Sequence, residues 1–302
     1  TVKASGYTSV IIQFNYGFFD FRNLSDLILK LDESNINVII FLHSTIDPEN
    51  DVSKSLSLLV DALHKCDRIL VHTLHDLNRL KYHGLVENVT LFPHGILDFE
   101  HKPSKFNLFF KPLLIKRRNR IATYGFCLPN KGFKELIYSI KILREKNFLV
   151  ELDIYSAIYN KDFEIFFDEL NILIKNLNLT SQVNIFPDYM TDDETIETLS
   201  HYDLIVFPYQ YSSESSSASV RHGLATCRPV MVTPIDIFND INNLVYFFPG
   251  TAITDIADGL FKWFQNYRSK DYDYLFIKNR MEQLKFMRFS YLGQRLCSII
   301  RS

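Results

Sequence analysis

Two stretches of the chain combine the exit of a strand with the entry of a helix and carry side chains suited to an anionic ligand. The first is Tyr209-Gln210-Tyr211-Ser212-Ser213-Glu214-Ser215-Ser216-Ser217-Ala218-Ser219-Val220-Arg221-His222-Gly223. A helix start offers unpaired backbone N–H groups and a partial positive charge, which suits a phosphate. The small residues let such a group approach the backbone closely. The carboxylate of Glu214 repels a phosphate, so it suits another part of the ligand, such as sugar hydroxyls. Spacing alone is equally compatible with a flexible Ser-rich turn and a capping Glu. The second stretch is Gly125 to Gly132. Lys131 at a helix start opposes the helix dipole, which favours anions there. Such a cation implies an anion bound between lysine and helix, or else a lysine simply facing solvent. His43 directly follows the apolar run Val38 to Leu42 and, taken alone, reads first as a packing histidine. Nine histidines raise the question of a metal, but there is no H-E-x-x-H, and His72 and His75 lack a carboxylate in ligand spacing. No metal is expected.

The elements around these residues follow a regular alternation. Val10 to Phe14, Val38 to Leu42, Arg68 to Val71 and Val89 to Phe92 read as short apolar strands. Leu24, Leu27, Ile28 and Leu31 recur at helical spacing, as do Leu56, Leu59, Val60 and Leu63, and a further helix is expected over Leu74 to Tyr82. Periodicity fades from Asp98 to Asn119, where the cluster Lys116, Arg117, Arg118, Arg120 sits; this reads as a solvated surface, with contact to acidic lipid headgroups as the lesser alternative. The rhythm then restarts with strands at Arg120 to Thr123, Val150 to Tyr155, Val183 to Phe186, Leu204 to Phe207, Val230 to Val232 and Val245 to Phe247. Helices are expected between them, one opened by the capping box Thr191-Asp192-Asp193-Glu194, and a last one over Ser290 to Ile300. Strands apolar on both faces with helices between them imply parallel sheets covered on both sides. In such sheets ligands bind beyond the carboxyl ends of the strands.

The 302 residues suit two domains, and 47% apolar content is ample for two cores. A net charge of −2 argues against a dedicated nucleic-acid binder. Cys66, Cys127, Cys227 and Cys297 are widely spaced, as reduced structural thiols are, which points to the cytoplasm. The chain has no initiator Met and enters a strand almost at once, so it is expected to be cut from a longer one.

Order and spacing together give the chain a resemblance to the GT-B glycosyltransferases, specifically the retaining, nucleotide-sugar-dependent family 4. The resemblance spans Cys66-Asp67-Arg68-Ile69-Leu70-Val71-His72, Val89-Thr90-Leu91-Phe92-Pro93-His94-Gly95-Ile96, the loop Gly125 to Gly132, Tyr202-Asp203-Leu204-Ile205-Val206-Phe207-Pro208 followed by Glu214, and Arg228-Pro229-Val230. It implies an α/β fold of two facing Rossmann-like domains with parallel sheets. Residues 1–110 with the last helix, 286–302, would form an acceptor-side domain lacking its first strands, and 111–285 the donor-binding domain.

The resemblance also implies roles. Lys131 corresponds to the lysine on the donor diphosphate, within a loop that includes Gly125 and Phe126. Glu214 corresponds to the first glutamate of the E-x7-E element, on the transferred sugar. Ser215, Ser216 and Ser217 would meet sugar and phosphate through their backbone, and His43 would lie beside the transferred sugar and the acceptor. Asn15 and Tyr16 would line the acceptor side. Phe126 stands where the family commonly has Arg, and His222 where the second glutamate falls, so Arg221 is expected to supply charge to the diphosphate. The implied reaction is transfer of a hexosyl group from a nucleoside diphosphate sugar to a hydroxyl of a glycan or lipid-linked glycan, with retention, without a metal cofactor, in surface polysaccharide assembly. Partners would be donor, acceptor and other domains of a longer chain, with at most peripheral membrane contact. The competing reading is a non-catalytic nucleotide-sugar-binding module of a larger enzyme; an epimerase of the same architecture would need more clustered carboxylates and histidines.

Overall fold

The computed structural model describes residues 5–49, 51–98, 119–158, 160–268, 280 and 282–301. The expected domain boundary at 110/111 and the basic residues Lys116, Arg117 and Arg118 lie outside the described residues. The chain divides into two units: Thr1–His94 with Ser212–Ser217 and Leu292–Ser302, and Gly95–Tyr211 with Ala218–Tyr291. Ser212–Ser217, expected within the second domain, therefore groups with the first.

The first unit is built on four parallel strands, β1 (Ser9–Phe14), β2 (Asn37–Leu42), β3 (Arg68–Val71) and β4 (Val89–Leu91), in the order β1-β2-β3-β4. Side chains alternate across a strand. On β2, Val38, Ile40 and Leu42 face one core with Leu24, Ile28 and Leu31 of helix α1 (Phe21–Glu33). Ile39 and Phe41 face the other side with Leu70, Phe92 and Leu292 of the C-terminal helix Phe289–Arg301, and Leu296, Ile299 and Ile300 pack against them. The Asp20 side chain caps α1 by accepting from the Asn23 N–H at 2.9 Å. Residues 52–63 form short 3-10 turns and one α-helical turn, α2 (Val60–Leu63), rather than a continuous helix. Helix α3 (Leu74–Tyr82) is opened by a capping box between Thr73 and Asp76.

The second unit holds β5 (Asn119–Phe126), β6 (Val150–Ala157), β7 (Val183–Phe186), β8 (Leu204–Phe207), β9 (Val230–Val232) and β10 (Tyr246–Phe247), all parallel, in the order β10-β9-β8-β5-β6-β7. Leu204 and Val206 of β8 face one core with helices α4 (Phe133–Glu145) and α5 (Glu164–Asn176). Ile205 and Phe207 face the opposite core with helices α6 (Asp192–Leu199) and α7 (Ala218–Ala225). Both halves of the Thr191/Glu194 capping box form. The chain runs outward from β5 to β7 and then returns to lay β8 on the other side of β5. The strand order reverses between β5 and β8, and that switch point is where such sheets open a crevice for a ligand.

Candidate functional site

In the second unit the loops leaving β5 and β8 meet at the switch point. The Gln210 N–H donates to the Asn130 carbonyl at 2.9 Å, and Asn130 Nδ2 donates to the Tyr211 carbonyl at 3.1 Å. Gly132 approaches Pro208 so closely that a Cβ on it would lie 1.8 Å from the Pro208 carbonyl oxygen, and its φ of +75° is a left-handed conformation that suits glycine. This junction places Lys131. Its side chain is buried, 8% exposed, with the ammonium 3.9 Å from the centroid of the Tyr209 ring. No carboxylate forms an ion pair with it among the described residues. A ring face offsets only part of the cost of burying a cation. Gly125 also has positive φ, and a Cβ there would meet Ser219 Oγ at 3.2 Å. Phe126 ends β5 with its ring exposed and offers no charge.

Two expected site residues are placed elsewhere. Arg221 lies on α7 with its guanidinium ion-paired to Asp240, both side chains almost fully buried. This corrects the expectation that Arg221 serves the diphosphate: its charge is neutralised inside the unit, and withdrawing it would strand Asp240. His222 on the next position sets Nε2 2.8 Å from Asp192 Oδ1 and its ring 5.1 Å from that of Tyr124. Tyr16, expected on the acceptor side, is a core residue. It packs against Phe14 and Phe21 and donates its hydroxyl to Asp47 Oδ1 at 2.9 Å, and burial with that carboxylate pushes its pKa up. Asn15 beside it accepts from the Gly17 N–H at 3.1 Å and shapes the turn after β1.

In the first unit the carboxyl ends of the strands carry one polar ring or amide each. Gln13 comes from β1, His43 follows β2, His72 follows β3 and His94 follows β4. Because the strands lie in sequence order, these side chains line up. Gln13 Oε1 is 2.7 Å from His43 Nε2, His43 Nδ1 is 3.0 Å from His72 Nε2, and His72 Nδ1 is 3.0 Å from the Phe92 carbonyl. The His94 ring centroid lies 5.3 Å from that of His72. Burial, and then the neighbouring His72, push the His43 pKa down to about 4. Among the described residues no group of His, Cys, Asp and Glu is arranged to hold a metal ion.

The Ser212–Ser217 segment is held on this unit by a buried carboxylate. Asp76 Oδ1 accepts from Thr45 Oγ1 and from Ser215 Oγ, both at 2.6 Å, and Oδ2 accepts from the Thr73 N–H at 3.0 Å and its hydroxyl at 2.5 Å. Ser44 Oγ donates to the Ser213 carbonyl at 2.7 Å and the Ser215 N–H donates to the His43 carbonyl at 3.2 Å. The expectation that Ser215 turns its backbone to a phosphate is therefore corrected, since its N–H is already spent on His43. Ser216 and Ser217 are buried beside it, whereas Glu214 is exposed and its carboxylate makes no hydrogen bond or ion pair among the described residues. Substituting Asp76→Asn turns an N–H group toward donors that need an acceptor. It is expected to lower unfolding stability by about 2 kcal/mol in a urea titration.

No motif singles out Gln13 or Asp76, and the sequence offers His72 only as a candidate metal ligand and as the end of the segment Cys66 to His72. Each had a signal: Gln13 is a lone polar residue in an apolar strand, His72 follows its strand as His43 does, and Thr73 with Asp76 spells a cap.

Neither a family model nor a curated protein matches the sequence. Solved structures do match the fold. A glycosyltransferase from Rickettsia africae superposes with a TM-score of 0.73 at 14% identity, over 99% of this chain and 78% of that one. Anabaena HepE in complex with UDP gives 0.77 at 11% identity, over 99% of this chain and 80% of that one. The UDP-forming α,α-trehalose-phosphate synthase from Burkholderia vietnamiensis gives 0.71 at 11% identity, over 96% and 74%. At these identities the likeness speaks of architecture alone, and by architecture the two parallel-sheet α/β units have the GT-B fold.

Proposed function

We propose that the chain is a glycosyltransferase that moves a hexosyl group from a nucleoside diphosphate sugar to a hydroxyl of a glycan or lipid-linked glycan, with retention and without a metal. The observation that carries this reading is Lys131: a buried ammonium at the sheet's switch point, faced by an aromatic ring and by no carboxylate among the described residues. A diphosphate leaving group is the natural complement, because its negative charge grows as the glycosidic bond breaks and a fixed cation stabilises that charge without reorganising. In the first unit the exposed carboxylate of Glu214 is suited to accept hydrogen bonds from sugar hydroxyls, and His43 of the histidine row is suited to hydrogen-bond a hydroxyl. Solved neighbours support the reading: HepE was captured with UDP and with UDP and glucose, and the trehalose-phosphate synthase forms UDP.

The test is a panel of nucleoside diphosphate sugars in thermal unfolding, followed by transfer assays with the best binder in the presence of EDTA. A donor at a hundredfold excess over its Kd raises the unfolding free energy by about 2.7 kcal/mol. Stabilisation accompanied by transfer bears the proposal out. Stabilisation without transfer or donor hydrolysis makes the chain a binding module, and no stabilisation by any member of the panel removes the donor site altogether.

A further inference from the structure

The histidine row has a direction set by its last member. The Phe92 carbonyl only accepts, so His72 Nδ1, 3.0 Å away, carries a hydrogen. An uncharged His72 then has a bare Nε2, which accepts from Nδ1–H of His43 at 3.0 Å. An uncharged His43 is thereby left with a bare Nε2, and the Gln13 amide caps it at 2.7 Å. With Oε1 nearest, that amide requires a proton on Nε2 and a cationic row. Turned by 180° it donates an N–H to the bare nitrogen, and the row is neutral.

We propose that His72 is a positioning residue that fixes His43 as the Nδ1–H tautomer, so that His43 Nε2 presents a lone pair to a hydroxyl of the glycosyl ligand, which takes the place of the Gln13 amide. The ligand hydroxyl donates to Nε2 and no proton is transferred. Gln13 is exposed and attached at the end of β1, so it can turn aside, while His43 and His72 are held by the ends of β2 and β3. A His43 of the opposite tautomer would present N–H and meet a donor hydroxyl with a second donor. The other titratable groups around the row are His94, with its ring 6.4 Å from that of His43, Asp76 of α3, bound through Ser215 to the His43 carbonyl, and Glu214 on the same segment. The identity of the ligand rests on the transferase reading above; the tautomer does not.

Long-range proton–nitrogen correlation spectra of the full chain, labelled at the histidine nitrogens and assigned with His43→Gln, test this directly. At pH 7 the expected His43 signal is that of a protonated Nδ1 and a bare Nε2. His72→Phe removes the acceptor and should shift His43 to the Nε2–H tautomer, with transfer reduced about 10- to 100-fold through the mismatched hydrogen bond. His72→Gln, whose amide can accept from His43 and donate to Phe92, should restore both the tautomer and turnover. A protonated Nε2 on His43 in the unsubstituted chain, or an unchanged tautomer in His72→Phe, overturns the proposal. The spectrum of the unsubstituted chain decides even where the Phe variant does not fold. Absence of sugar transfer in the unsubstituted chain would sink the transferase reading while leaving these spectra to decide the tautomer.

Discussion

Replacing Lys131 by methionine is expected to lower glycosyl transfer by roughly 100- to 1000-fold while leaving the fold intact, an effect of about 3–4 kcal/mol on the barrier. Methionine keeps an unbranched stem in the buried position and sets a sulfur against the Tyr209 ring, a contact aromatic faces accept well. What disappears is a positive charge at the exit of β5. In the proposed reaction, charge on the departing diphosphate develops as the bond to the sugar breaks, so the loss should fall more on kcat than on KM. Steady-state kinetics with the best donor, beside a thermal unfolding curve, measure both. Turnover within a few-fold of the unsubstituted protein would take Lys131 out of the reaction.

Gly132→Ala is expected to cost about 3–5 kcal/mol of stability, from left-handed backbone strain combined with overlap. The added Cβ would lie 1.8 Å from the Pro208 carbonyl oxygen and 2.7 Å from its carbon. Both are backbone atoms, so no side chain can swing away, and the loops leaving β5 and β8 must separate instead. Urea unfolding reads the lost stability. Because Gly132 is the N-cap of α4 and directly follows Lys131, donor-induced stabilisation should weaken as well. A variant as stable as the parent would show that the two loops part without cost.

The alternation of strands and helices is a local property. Val38 to Leu42 is apolar at every position because helices cover both faces of its sheet, and Leu24, Ile28 and Leu31 lie three or four apart because one stripe of α1 is buried. The Thr191/Glu194 cap likewise lies within a single turn. Such features survive in one dimension, and with them Lys131, whose charge conflicts with the helix start beside it. The 52–63 stretch is the counterexample: its leucines recur at helical spacing, yet the backbone there is mostly 3-10.

Partners far apart in sequence follow a different logic. Nothing near Arg221 announces Asp240 as its buried partner, and Tyr16 reads as a loop residue until Asp47 takes its hydroxyl. Asp76 and Ser215 are 139 positions apart, yet one carboxylate oxygen joins them.

By itself the sequence determined the two sets of parallel strands, the covering helices and the loop that offers Lys131. The tertiary structure alone decided which polar groups are spent and which remain available. It did so through sheet order: β1 to β4 lie side by side, which turns Gln13, His43 and His72, separate in the chain, into one hydrogen-bonded row. A hydrogen bond depends on distance and direction in space, and neither is encoded by spacing along the chain.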